Sequence, residues 1–182
     1  MSVIVKDNGG SYEQPAAGMH HAVCARIYDL GDQLGFEGKV QHKVVIMWEL
    51  EDRQTKGDYA GKRFLVTKQY TASLNEKASL RHDLDSWRGK PFTEEEAQGF
   101  DLEKLVGVNC LLNIAPKQTK LGRTFMSVAS VNPPMKGAEK LVVETEAGYT
   151  PKWITDLLTV KDAFTVGNQP SVMDATDEVI PF

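Results

Sequence analysis

Long hydrophobic runs are missing from this 182-residue chain; none approaches the roughly 18 residues needed to cross a membrane. Its first residues, Met1 to Asp7, carry neither the basic start nor the apolar stretch of a secretory signal. The expectation is a cytoplasmic protein with no membrane partner. Cysteine is scarce: Cys24 and Cys110 stand far apart in apolar, strand-like surroundings. They read as two buried, reduced thiols rather than a disulfide or a metal pair. The histidines, His20, His21, His42 and His82, show no spacing with Cys or carboxylates suited to zinc. No metal or other cofactor is expected. The glycines from Gly57 to Gly61 lack the Gly-Lys-Ser/Thr ending of a phosphate loop. Glu94, Glu95 and Glu96 read as a charged helix start, and Asp83 and Asp85 fall on different faces of a helix. No catalytic residue is nominated, and the protein is expected not to be an enzyme.

Positive charge is absent after Lys161. The net charge of −4 is therefore uneven along the chain. Up to Ala138 there are 18 Lys and Arg against 17 Asp and Glu, whereas Glu139 to Phe182 holds 3 Lys against 8 acids. A nearly balanced front region can still segregate its charges by face, and the acidity belongs to the residues from Glu139 onward.

Hydrophobic periodicity organises the front region. Residues 1–17 carry Gly9, Gly10 and Pro15 without a sustained period and read as an irregular arm. Alternation predicts a first strand over 19–30, with both faces partly apolar, then a glycine-rich loop. A second strand over 40–51 puts Val44, Ile46, Trp48 and Leu50 on one face; a third covers 62–71. The period then lengthens. Ser73 and Glu76 have capping-box spacing, Leu80, Leu84 and Trp87 recur at helical intervals, and Gly89 with Pro91 ends the helix. Short turns come next, then strands over 106–117 and 123–131, with Asn109 expected to point outward. Leu141 to Val143 suggests an extra edge strand. Thr150-Pro151 reads as the cap and first turn of an amphipathic helix that contains Trp153 and ends near Phe164. The division is thus an arm (1–17), a main domain (18–138), an extra strand and helix (139–165) and a disordered tail (166–182).

Three strands, a helix and a two-strand hairpin form the element order of the OB-fold, a mainly β, five-stranded Greek-key barrel with its helix between strands 3 and 4. Tyr59-Ala60-Gly61-Lys62-Arg63-Phe64, Tyr70 to Lys77 and Trp87-Arg88-Gly89-Lys90-Pro91-Phe92 resemble a group of bacteriophage OB-fold single-stranded-DNA-binding proteins. The ending, Asp174, Asp177 and Glu178 followed by Ile180, Pro181 and Phe182, resembles the acidic tip of bacterial single-stranded-DNA-binding proteins. That resemblance implies a protein that coats single-stranded DNA in replication or recombination and recruits other proteins of those processes through its tip. A virion structural or assembly module on an OB-like barrel is the alternative, and a homo-oligomer is compatible with either.

A single-strand groove needs cations spaced for phosphates and flat side chains for bases. The candidate cations are Lys39, Lys43, Lys62, Arg63 and Lys68 on or beside the second and third strands, and Lys117, Lys120 and Arg123 around the last hairpin. The candidate platforms are Phe36 and Tyr59 in loops and Phe125 on the fifth strand; Tyr70 shares its face with both Lys68 and Phe64, so stacking and core roles are both open. Trp48 and Trp87 read as core. For the tip, Pro181 stiffens an apolar peg whose Phe182 offers a ring and an α-carboxylate to a pocket with a cation.

Overall fold

The computed structural model describes residues 13–164. Five antiparallel strands, β1 (Gly18–Leu34), β2 (Val40–Arg53), β3 (Arg63–Thr71), β4 (Asn109–Gln118) and β5 (Thr124–Asn132), lie in the order β3-β2-β1-β4-β5. Helix α1 (Ser79–Arg88) connects β3 to β4, and α2 (Lys152–Phe164) comes after β5. The expected element order is present, but the closed barrel is not. β3 and β5 are the two edges of one open sheet. They approach each other over a short stretch beside α1, yet no ladder joins them. Proximity without ladder hydrogen bonds leaves both edge backbones outside the sheet's pairing, which is what separates an open sheet from a barrel.

Each face of the sheet buries its own cluster. On the front, Trp48, Ile46 and Leu50 of β2, Cys24 of β1, Leu112 and Ile114 of β4 and Val131 of β5 pack under Leu80, Leu84 and Trp87 of α1. Those three helix residues recur on one face, and Gly89 ends the helix with φ 76°, a left-handed geometry that favours glycine. On the back, Ala25, Tyr28 and Leu30 of β1 and Val45 and Met47 of β2 pack against Ile154 of α2.

Several boundaries depart from the periodicity, each for a physical reason. β1 runs four residues past Leu30, because Gly31 (φ 61°) and an Asp29 carboxylate that accepts the Gly31 amide form a bulge rather than a break. An earlier bulge skips Ala25 between the Cys24–Trp48 and Arg26–Met47 pairs, so strict alternation along β1 fails. Cys24 faces the front, and Ala25 and Tyr28 both face the back. The Ser73–Glu76 capping box does not start α1. Ser73 Oγ instead accepts the Asn75 amide in a turn, and the helix begins at Ser79 after an uncapped Ala78. The reciprocal box forms later, where Thr93 Oγ1 accepts the Glu96 amide and the Glu96 carboxylate accepts the Thr93 amide.

Leu141 to Val143 is not a strand. Its backbone is held by side chains of the sheet, and Asn109 is the reason. Rather than pointing outward, Asn109 is buried; its Nδ2 donates to the Leu141 carbonyl and its Oδ1 accepts the Leu141 amide. One side chain thus does the pairing that a neighbouring strand would have done.

Candidate binding surfaces

The cations nominated for a groove separate into a spent set and an available set. Lys68 pairs with Asp83 at 2.6 Å, and the Tyr70 hydroxyl donates to the same carboxylate at 2.7 Å. Tyr70 itself is 2% exposed, and burial pushes its hydroxyl well above the ordinary range. It is core, locking β3 to α1, and offers no face to a base. Lys43 donates to Gln41 and Thr71. Arg63 reaches Glu49, Glu144 and the Val142 carbonyl. Lys39 is exposed beside Glu37, 4.0 Å away. Phe36 opens a 3-10 turn, Phe36–Gly38, between β1 and β2.

Lys117, Lys120 and Arg123 remain available. All three are exposed on the β4–β5 hairpin, and no carboxylate pairs with them among the described residues. The turn is closed by the Thr119 amide on the Arg123 carbonyl and by Gly122, at φ 80°, on Thr119. That geometry projects Leu121, 90% exposed, at the tip. Phe125, 39% exposed, stands opposite Lys117 in the ladder. The hairpin is therefore a cationic projection with two uncovered apolar side chains.

Tyr59, Lys62 and Arg63 meet elsewhere. They line a cavity of about 370 Å³ on the back face, between β3 and the segment 141–149, with Leu65, Glu146 and Tyr149. Tyr59 closes a 3-10 turn, Gly57–Tyr59, and the Lys62 ammonium sits 5.8 Å from the centre of its ring.

Sequence reasoning missed the residue that builds this face. Glu49 is completely buried. Its carboxylate accepts the amides of Glu144 and Thr145 at 2.6–3.0 Å and pairs with Arg63 at 3.3 Å. Glu144 adds a two-pronged pair with Arg53, whose guanidinium holds that carboxyl below its usual range. Arg26 donates to the Glu146 carbonyl and Tyr28 to the Tyr149 carbonyl. The available signal was Glu49 itself, an acid next to Met47 on the strand face that carries Val45 and Met47.

Both thiols are withdrawn from chemistry. Cys24 and Cys110 are free and buried, and burial pushes both thiols well up, away from the reactive thiolate. Among the described residues, no group of three His, Cys, Asp or Glu side chains is arranged to hold a metal ion. No described helix is long and apolar enough to cross a membrane. The tip residues Asp174, Asp177, Glu178, Ile180, Pro181 and Phe182, like the whole tail 166–182, lie outside the described residues.

The single-stranded-DNA expectation rested on a closed barrel with a groove across it. The open sheet removes that ground, and with it the OB-fold resemblance, the strand-coating role and the OB-like assembly alternative. The stacking platforms disperse as well: Tyr70 is core, Tyr59 lines the back-face cavity, and Phe125 stands beside the hairpin cations. Compared with known proteins, the chain matches no family model and no curated protein.

Proposed function

We propose that this protein is a non-catalytic adaptor that holds an acidic protein segment on its β4–β5 hairpin. The observation that carries the reading is the set of unpaired cations Lys117, Lys120 and Arg123 beside exposed Leu121 and Phe125. Cations with no internal partner keep their field for a ligand, and uncovered apolar side chains give that ligand a dry contact. An acidic segment is met here by charge and one or two apolar contacts, whereas sequence-tolerant binding of a single strand also draws on base stacking, for which the hairpin offers the ring of Phe125. The segment from Asp174 to Phe182, acidic and then apolar, supplies a second docking element of opposite sign, so the adaptor carries one element for each kind of charged partner.

The test is titration of the whole protein with a polyglutamate peptide flanked by leucines, at low and physiological salt. Replacing Lys117, Lys120 and Arg123 together by Glu should weaken binding by at least about tenfold, with the difference shrinking as salt rises. Deleting 174–182, itself acidic and then apolar, should not weaken this binding. If the peptide does not bind while an oligo-dT strand does, and the triple variant loses the strand, the acidic-protein reading falls.

A further inference from the structure

Beyond the hairpin, the back-face cavity leaves apolar side chains uncovered next to the point where the described chain begins. Tyr59, Leu65 and Tyr149 line it and are each 38–48% exposed. Leu65 lies on β3, whose outer edge has no ladder partner. Uncovered apolar side chains beside a free strand edge suit an extended peptide, which buries its side chains and pairs its backbone together.

The anchor for such a peptide is Glu13. Its carboxylate accepts the Thr55 amide, the Thr55 hydroxyl and the Lys56 amide at 2.8–3.0 Å. These bonds, the one from the Thr55 amide foremost, hold that carboxyl below its usual range. Next along the chain, the Gln14 side chain accepts the Met126 amide and Pro15 is buried. The arm is thus pinned to the β2–β3 connection, with Lys56 three positions from Tyr59. Three residues span at most about 11 Å.

The stretch that leads into this anchor fits the cavity. Val3-Ile4-Val5 is a run of β-branched residues, the type that favours extended backbone. Seven residues separate it from Glu13 and reach roughly 25 Å, more than the step to Tyr59 requires. Within them, Asn8-Gly9 is the pair best suited to turn a chain back on itself. Charge favours this stretch over the other terminus. The wall carries Lys62 and three carboxylates, Glu146 together with Glu49 and Glu144, which are tied to Arg63. Lys6 and Asp7 bring one charge of each sign, whereas Asp174, Asp177 and Glu178 would add only acids.

We propose that Val3-Ile4-Val5 of the same chain docks in this cavity as an extended segment, its apolar side chains against Tyr59, Leu65 and Tyr149. Residues 13–16 are its tether.

The experiment attaches a nitroxide to Ser2→Cys in the whole protein; Cys24 and Cys110 are completely buried, which leaves the new thiol as the reactive one. The amide resonances of Leu65 and Tyr149 should be broadened and should recover when the nitroxide is reduced. A tether alone would broaden residues around Glu13, so the deciding comparison replaces Val3, Ile4 and Val5 together by Ser. That variant should lose the broadening at Leu65 and Tyr149 and keep it at Thr55. Leu65→Lys, on the receiving side, should lose it at Tyr149 and takes over if the triple replacement fails to fold. Isotope-enriched protein without nitroxide, mixed with nitroxide-bearing protein of natural isotope content, separates the sources. Broadening of Leu65 and Tyr149 in that mixture would come from a second copy and overturns docking in cis. Absence of broadening at both residues overturns the proposal, as does broadening that survives the triple replacement, or Leu65→Lys where that variant stands in.

Discussion

The two faces of the sheet are held by different kinds of force. At the front, Trp48 and Trp87 meet at 6.1 Å between ring centres inside a continuous apolar cluster, and α1 covers it as a regular element. At the back, a smaller cluster is covered by α2 and by a segment with no regular structure, whose backbone is gripped by Asn109, Glu49, Arg63, Arg26 and Tyr28. Apolar packing is non-directional and tolerant of exchange, whereas polar gripping depends on single atoms. A front written in apolar periodicity can therefore be read from sequence, and a back written in individual hydrogen bonds cannot.

Mutations should break the faces in different ways. Trp87→Ala removes a 2%-exposed ring and the indole N–H bond to the Asn109 carbonyl. It should lower global stability by about 3–5 kcal/mol in urea unfolding. A loss below about 1 kcal/mol would mean that α1 is not fixed by this ring. Glu49→Gln, by contrast, should act locally. The carboxylate that accepts two backbone amides becomes a neutral amide with half the acceptors, at a loss of about 1–3 kcal/mol. Hydrogen exchange at the Glu144 and Thr145 amides should accelerate while amides of β4 stay protected. If the whole molecule opens together, the two faces are one cooperative unit and the contrast fails.

The smallest effect concerns pH at the front. The Arg88 guanidinium beside Glu96, helped by the Thr93 amide, holds that carboxyl down at about 2. A depressed folded-state value means the carboxylate stabilises the fold above the ordinary range and that this contribution disappears as pH falls towards 2. Melting temperatures of the parent and Glu96→Gln should therefore differ near neutrality and converge in that acid window. A constant gap would detach Glu96 from acid sensitivity.

Legibility followed the same division. The alternation of Val44, Ile46, Trp48 and Leu50 and the spacing of Leu80, Leu84 and Trp87 announced the front core, because apolar burial leaves a period. The bulge at Ala25 interrupted that period on β1, since an extra residue flips every side chain beyond it. Closure was not legible: whether edge strands pair depends on ladder bonds between β3 and β5, which no side-chain pattern encodes. The hairpin cations were found because charge clusters locally. The cavity was only half found, as Tyr59, Lys62 and Arg63 are near in sequence while Tyr149 and Glu146 arrive from the far side of β5.

The placement of β1 has a kinetic consequence. It pairs with β2 through a tight connection, as β4 does with β5, so both hairpins close short loops. Pairing β1 with β4 brings Gly18 against Ile114 and must enclose β2, β3 and α1 in between. Loop closure of that length is entropically expensive and is rewarded only once both hairpins exist. Folding is therefore expected to proceed as two quick local events and one slow meeting. Leu112→Ala, at that seam, should slow the folding arm of a chevron more than it speeds unfolding; the reverse would place the seam after the barrier.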